Sequence, residues 1–115
     1  EGIVRTVKDD TGPYLQQILR EVFAHHPMIG EIQGTGLLAA LQFAEDKSTR
    51  KRFDNENDLA WQCRTFGFEE GVIIRSTLGR MIMAPALVAT RTELDELVEK
   101  TRIAVDRTAR IAGKL

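Results

Sequence analysis

Arg75 is the residue of this sequence that is best placed to bind an anion. It follows the apolar run Val72–Ile74 and precedes the turn-forming segment Ser76–Gly79. An otherwise apolar strand has little reason to carry a guanidinium unless the charge is paired or directed at a ligand, because an unpaired buried charge is costly. The residue types leave two interpretations open, a structural ion pair and a site for an anionic ligand.

A glycine pattern in the first half matches the letters of a dinucleotide-binding motif. Residues Gly34–Ala39 fit G-x-G-x-x-A, in which the N-terminus of a helix receives a pyrophosphate. The apolar segment after the glycines lasts only about two helical turns before Glu45 and Asp46, whereas a βαβ unit needs roughly 30 residues. We therefore expect these glycines to permit a tight connection between strands or a close approach of the backbone.

Two histidines and one cysteine offer little for catalysis or metal binding. His25 and His26 would point about 100° apart on a helix, and no acidic or cysteine partner lies three or four residues further on. We expect helix-terminal histidines near the negative end of the helix dipole. Cys63 falls on the apolar face of a predicted helix, where a thiol usually packs as a small hydrophobic group. A single cysteine also excludes an intramolecular disulfide.

The segment Lys47–Arg52, called the basic segment below, is the candidate for binding nucleic acid. Phe53 is the one aromatic residue nearby, and acidic residues flank the segment on both sides. The whole chain has 16 Lys and Arg against 17 Asp and Glu, a balance that is unusual for a nucleic-acid-binding domain. We expect a solvated loop and no nucleic-acid partner.

Hydrophobic periodicity predicts a helix followed by two strands in the first part of the chain. The helix would begin with capping candidates at residues 10–12 and with Pro13 in its first turn, and Pro27 would stop it. Its apolar face consists of Leu15, Ile18, Leu19, Val22 and Phe23. Met28–Gln33 and Leu37–Phe43 are the predicted strands, with a sharp turn at Gly34–Gly36 between them.

The middle of the chain is predicted to be an exposed excursion followed by a second helix. Glu45–Asn57 is polar and lacks an apolar period. One helical face then contains Leu59, Cys63 and Phe66, with Asn55 or Asn57 as its cap. Gly71 is well placed to end this helix in the left-handed conformation.

The last third is predicted to form a hairpin and a long helix. Val72–Arg75 and Arg80–Met83 are rich in residues that favour strands, and the four residues between them suit an antiparallel hairpin. Thr90–Glu93 forms a capping box before an amphipathic helix, which ends at Gly113.

These elements predict an α+β fold in which helices cover one face of a small, mainly antiparallel sheet. With 115 residues, the chain 1–115 has the size of one domain. The longest apolar run, Met81–Ala89, is interrupted by Pro85 and is far shorter than the roughly 20 residues of a membrane-spanning helix. The lack of a disulfide framework favours a reducing, intracellular compartment. The chain begins at Glu1 rather than Met, which suggests an excised fragment of a longer protein, a trimmed tag or processing.

Four short segments, in this order, carry a resemblance to a known family. They are Gly34-Thr35-Gly36-Leu37, Gly71-Val72-Ile73-Ile74-Arg75 with Gly79 four residues later, Ala84-Pro85-Ala86-Leu87-Val88, and Asp95-Glu96-Leu97-Val98 within the last helix. Over nearly its whole length the chain resembles the C-terminal small domain of the class III pyridoxal-phosphate-dependent aminotransferases, especially the omega-transaminases that use pyruvate. The resemblance implies the small-domain fold of fold type I enzymes, a large domain elsewhere in the protein, and a cytoplasmic location.

The resemblance also implies an activity. Enzymes of this family transfer an amino group from an amine or omega-amino acid to pyridoxal 5'-phosphate and then to a keto acid such as pyruvate. A lysine of the large domain holds the cofactor as a Schiff base, and the second subunit of a homodimer helps to bind the phosphate. The chain should not transaminate alone, because none of its lysines matches that residue. These lysines are Lys8, Lys47, Lys51, Lys100 and Lys114.

Arg75 matches the mobile arginine of the family, which pairs with the substrate carboxylate and swings away for amines without one. A guanidinium suits this role because it can donate two hydrogen bonds to one carboxylate and stays charged. Three positions depart from the family pattern: Gln33 stands where arginine is usual, Arg80 where aspartate often follows the glycine, and Ala86 where proline is common. These departures leave the subfamily and the amino donor open.

Two other functions are compatible with the residues. The chain would be a stand-alone interaction or ligand-binding module if it had kept the fold without the chemistry. It would be a nucleic-acid-contacting module if the basic segment bound phosphates, and its binding would then fall steeply with salt. The balanced charge argues against the second, so the stand-alone module is the main alternative.

Overall fold

The computed structural model describes residues 2–85 and 89–115, which form helices and one sheet. The helices are α1 (Gly2–Thr6), α2 (Gly12–Phe23), α3 (Glu56–Glu70) and α4 (Arg91–Ile111), and a π-helical segment, Val7–Thr11, joins the first two. The strands are β1 (Ile29–Thr35), β2 (Leu38–Phe43), β3 (Arg75–Thr77) and β4 (Arg80–Met83). The motif residues Ala86, Leu87 and Val88 lie outside the described residues.

The strands form one antiparallel sheet in the order β1-β2-β4-β3. Helices cover one face of it. In β2, Ala39, Leu41 and Phe43 are buried, whereas the alternate residues are exposed or half-buried. Met81 and Met83 of β4 are buried on the same face, since they pair with Leu41 and Ala39. The α+β prediction is thus confirmed, with helices on one side of a small antiparallel sheet.

The hydrophobic core lies between the covered face of the sheet and α2, α3 and α4. Its largest fully buried side chains include Phe23, Phe43, Leu15, Leu19, Leu59, Leu94 and Val105. Burying one side chain of this size contributes about 1.5–3 kcal/mol, so this layer holds the helices against the sheet. Within the described residues, no helix is both long and apolar enough to cross a membrane.

The first helical region is longer than predicted at its N-terminus. The sequence predicts a start near Pro13, but the helical backbone continues through the π-helical segment to Gly2. Gly12 donates its N–H to the carbonyl oxygen of Val7, five residues back. This wider turn makes room for the proline, whose ring collides with the carbonyl four residues earlier in a regular α-helix. The predicted cap is wrong because Thr11 is itself helical, with φ −68° and ψ −34°.

The hairpin of β3 and β4 differs from the prediction. A strand is predicted over Val72–Arg75, but β3 begins only at the last of these residues. The loop to β4 has two residues rather than four, Leu78 and Gly79, both with positive φ (48° and 74°), as tight hairpin turns require. The first residue of the predicted strand is unavailable to the sheet, because its N–H donates to the carbonyl of Gly67 at 2.9 Å and closes α3.

The connection between β1 and β2 is tighter than predicted. β1 continues to Thr35, so the turn lies at residues 36–37 rather than 34–36. A Cβ on Gly34 would lie 2.6 Å from the side-chain oxygen of Gln16, so glycine lets α2 approach the hairpin closely. The glycine pattern therefore joins two strands, as expected, and is not a dinucleotide-binding loop.

Both long helices end where the sequence predicts. Gly71 after α3 and Gly113 after α4 have φ values of 91° and 76°. The capping box before α4 is complete: the hydroxyl of Thr90 accepts the N–H of Glu93, and the Glu93 carboxylate accepts the N–H of Thr90 at 3.0 Å. Asn55 precedes α3 without making a side-chain capping bond.

Candidate functional site

Arg75 begins β3 on the face of the sheet that the helices do not cover, called the uncovered face below. It lies opposite Ile82 of β4, which lies opposite Ala40 of β2, which lies opposite Gln33 of β1. These residues form a row across the uncovered face. Arg75 is exposed, and no carboxylate of residues 2–85 or 89–115 forms an ion pair with it.

The burial of Ile74 determines the direction in which Arg75 points. Ile74 is 1% exposed, and a Cβ on Gly67 of α3 would lie 3.1 Å from two of its side-chain carbons. Successive residues of an extended chain point to opposite sides, so burying Ile74 in the core places Arg75 on the uncovered face. The absence of a side chain at Gly67 allows this approach of α3 to the strand.

A shallow, mostly apolar depression lies next to Arg75. It has a volume of about 410 Å³ and is lined by Gln33, Gly34, Thr35, Leu38, Ala39, Ala40 and Ile82. A cation beside an apolar floor suits a small organic molecule that carries a carboxylate. The sequence reasoning missed the neighbours Ala40 and Ile82, because their proximity depends on the register of two strand pairings. Their only signal was the alternation of side chains along each strand.

Side chains from elsewhere in the fold hold the turn that follows β3. The carbonyl oxygen of Leu78 accepts a hydrogen bond from Arg52 at 2.5 Å, and that of Gly79 accepts one from Gln42 at 3.0 Å. These bonds fix the backbone of the turn.

His26 has a structural role that the sequence did not reveal. It follows α2, is 8% exposed, and accepts the N–H of Met28 at Nδ1 over 3.1 Å. Its Nε2 lies 2.7 Å from a carboxylate oxygen of Asp106, 80 residues further on. These contacts define the neutral tautomer that carries its proton on Nε2. Both histidines follow the end of α2, as expected, and His26 in addition connects this end to α4, whereas His25 is exposed.

Cys63 is buried in the core, as predicted. Burial raises the pKa of its thiol to about 12, so the reactive thiolate does not form at neutral pH. In the part of the chain that the structure describes, no group of three His, Cys, Asp or Glu side chains is arranged to hold a metal ion.

Three of the four basic side chains in the basic segment have structural partners. Lys47 donates to carbonyl oxygens at the C-terminal end of α2, including that of His26 at 2.9 Å. The other two form ion pairs, Lys51 with Glu45 and Arg52 with Glu56. The segment thus stabilises the exposed loop that the sequence predicts and attaches it to α2.

The lysines of this chain do not fit a pyridoxal-phosphate site. Such a site needs a lysine for the Schiff base and a charged partner for the pyridine nitrogen in one enclosed pocket. Lys100 is in an ion pair with Glu96 at 2.7 Å. The remaining lysines border open depressions that no aromatic side chain lines; they are Lys8, Lys47, Lys51 and Lys114.

Comparison with known proteins finds aminotransferases among the sequence relatives of this chain. No family model matches the chain. The putrescine–pyruvate aminotransferase of Pseudomonas aeruginosa is 39% identical to it over 109 residues, which are 95% of this chain and 24% of that enzyme. The chain therefore spans about a quarter of the length of this relative.

Solved structures agree with the sequence relatives. A transaminase obtained by ancestral reconstruction superimposes with a TM-score of 0.91 at 39% identity, covering 96% of this chain and 24% of that one. The PMP-bound aminotransferase of Vibrio fluvialis has a TM-score of 0.88 at 24% identity, covers 99% and 24% of the two chains, and shares the fold. The relative from Pseudomonas aeruginosa and the reconstructed transaminase confirm the resemblance to the class III aminotransferases. Over the quarter of their length that it matches, the chain belongs to the class III aminotransferases.

Proposed function

We propose that the protein containing this chain is an omega-transaminase that transfers an amino group from an amine or omega-amino acid to a keto acid such as pyruvate. In this proposal the chain is the C-terminal small domain of that enzyme. The order of the four sequence motifs supports the placement, and the relative from Pseudomonas aeruginosa, which is named for putrescine and pyruvate, supports the substrate classes.

Arg75 binds the substrate carboxylate in this proposal. The supporting observation is its position: an exposed guanidinium, without a carboxylate partner among the described residues, next to an apolar depression. Two parallel hydrogen bonds to a carboxylate contribute about 1.5–3 kcal/mol each when water is excluded. The short carbon chain of the substrate would then contact Ile82 and Ala40. A substrate without a carboxylate gives the guanidinium no partner, and Arg75 would turn towards solvent.

The cofactor and the second subunit belong to the parts of the protein outside this chain. We propose that pyridoxal 5'-phosphate is held by the large domain and by the partner subunit of a homodimer. The unsuitable lysines of this chain support this assignment. When bound, the cofactor carries the amino group between donor and acceptor. This chain would orient the substrate and would have no transaminase activity alone.

Substitution of Arg75 in the full-length protein tests the proposal. The donor half-reaction is followed by cofactor absorbance, once with alanine and once with putrescine, which lacks a carboxylate. Arg75→Gln is expected to lower kcat/KM for alanine by about 100-fold, because two charge-assisted hydrogen bonds are lost. The value for putrescine should change by less than about threefold, since it makes neither bond.

A matched control and two contrary results complete the test. Arg110→Gln removes an exposed arginine at the far end of α4 and should leave both donors unaffected. An equal loss with alanine and putrescine would show that Arg75 does not act through the carboxylate. A wild-type protein that transaminates neither donor would favour the stand-alone module.

A further inference from the structure

A second group of arginines surrounds a cavity at the other end of the β3–β4 hairpin, near its turn. The cavity has a volume of about 230 Å³, and its polar lining consists of Glu31, Gln42, Arg50, Arg52 and Arg80. The arginines come from the basic segment and from β4, so the fold brings them together over about 30 positions of sequence. We propose that this arginine cavity binds a phosphate group, either as the free ion or as part of a phosphorylated small molecule.

Gln42 holds Arg80 in position for a ligand. Its side-chain amide donates to the carbonyl oxygens of Gly79 at 3.0 Å and Phe43 at 3.3 Å. Its oxygen is thereby directed to accept Nε of Arg80 at 2.8 Å. The two terminal nitrogens of Arg80 form no hydrogen bond with the described residues and remain for an anion. A guanidinium fixed in this way loses little conformational entropy when it binds.

The loop that carries the other two arginines directs them to the same cavity. Arg50 has φ 59°, a left-handed conformation that non-glycine residues adopt at a cost. A backbone bridge between Asp46 and Lys51 closes the loop around it. Arg52 is fixed by the Glu56 carboxylate at 2.7 Å. Of the three guanidiniums at the cavity, that of Arg52 is therefore paired. Those of Arg50 and Arg80 form no ion pair within the described ranges.

The charge of the arginine cavity favours an anion. Three guanidiniums face two carboxylates, those of Glu31 and Glu56, which leaves one net positive charge. Glu31 borders the cavity, but it pairs with none of the three arginines within 4.0 Å in residues 2–85 and 89–115. Guanidiniums that share one cavity repel each other unless an anion lies between them. Clustered arginines with free N–H groups match the several oxygens of a phosphate group.

Arg80 is also a position at which this sequence departs from the pattern of its family. A relative with aspartate at this position would place a negative charge beside the cavity instead of a positive one, which disfavours an anion. The proposed site is therefore a property of this chain and is separate from the carboxylate site proposed at Arg75.

Calorimetric titration of the full-length, cofactor-saturated protein with inorganic phosphate at low ionic strength tests the proposal. Saturation with cofactor keeps the phosphate-binding groups of the cofactor site occupied. Saturable binding is expected, and Arg80→Gln and Arg50→Gln should each weaken it about tenfold. Arg110→Gln, outside the cavity, and Arg75→Gln, at the proposed substrate site, should leave it unchanged.

Several results would overturn the proposal. One such result is that the wild-type protein shows no saturable binding of phosphate. A carboxylate from outside this chain that covers the arginine cavity would produce the same result. Binding that survives both Arg50→Gln and Arg80→Gln is another. Weaker binding in Arg75→Gln alone would assign the anion to the substrate site. Acetate that binds as tightly as phosphate would refute the assignment to a phosphate group. Because the titration involves no turnover, its outcome is independent of the proposed transaminase activity.

Discussion

Replacing His26 by alanine measures how firmly the end of α2 is attached to α4. The imidazole accepts the N–H of Met28 at 3.1 Å and donates to Asp106 at 2.7 Å, and Met28 is fully buried. Alanine leaves that buried N–H without an acceptor, which costs about 1–3 kcal/mol, and removes a hydrogen bond to a carboxylate worth about 1.5–3 kcal/mol. Asp106 keeps Arg102 as a partner at 2.7 Å, so the cost of losing its hydrogen bond to His26 should lie near the lower end of that range. Together the two costs predict that the free energy of opening between α2 and α4 falls by about 3 kcal/mol.

Hydrogen exchange measured by mass spectrometry reports this loss locally, whatever the length of the protein studied. A decrease of about 3 kcal/mol in the free energy of opening raises the exchange rate about 150-fold where exchange follows the opening equilibrium. The increase should appear in peptides that cover residues 24–30 and 100–109. His25→Ala, which changes the exposed neighbour, is the control and should alter exchange by less than about twofold.

Asp106→Ala and the double variant complete a mutant cycle. We expect a coupling of about 1 kcal/mol or more between the two side chains, because they share one hydrogen bond. Wild-type exchange rates in His26→Ala would show that His26 does not attach α2 to α4. Destabilisation of both single variants with effects that simply add would show that the two side chains do not act through one hydrogen bond.

The remaining predictions concern Cys63 and Gly79. Because burial raises the pKa of Cys63 to about 12, the native protein should react with iodoacetamide much more slowly than the unfolded protein at pH 8, and equal labelling rates would contradict this. The free energy of unfolding should also fall as pH rises above about 9, since the unfolded chain releases the thiol proton there and the folded chain retains it. Gly79→Ala should destabilise the protein by about 1–3 kcal/mol, because φ is 74° and the new Cβ would lie 2.7 Å from Glu56 Oε2. Gly2→Ala, with nothing within 4 Å, is the control, and equal Tm values for the two variants would contradict the argument.

Elements with strong local signals were predictable from the sequence. The capping box at Thr90 and the glycine after α4 define that helix because both act through residues within one turn. Pro13 lies in the first turn of α2, as predicted, but the π-helical segment before it was not predicted, because no local residue pattern indicates it.

The β3–β4 hairpin is a case in which strand propensity did not predict the extent of a strand. Val72, Ile73 and Ile74 favour a strand, but the N–H of Val72 closes α3 and Ile74 enters the core, so the strand is shortened to Arg75–Thr77. Strand propensity describes fit to a half-buried surface, and packing against a helix can override it. The same packing nevertheless preserved the alternation that places Arg75 on the uncovered face.

The sequence by itself determined the α+β class, the extents of the last two helices, the burial of Cys63 and the family to which the motifs belong. It also singled out Arg75 without deciding between a structural partner and a ligand. Only the tertiary structure decided that Arg75 has no carboxylate partner among the described residues, that Ile82 lies beside it, and that His26 binds Asp106. The physical reason is the separation along the sequence between the residues that determine each feature. Caps and periodic faces arise from residues within one or two turns, whereas strand register and contacts across 38 to 80 positions are set by the packing of the whole core.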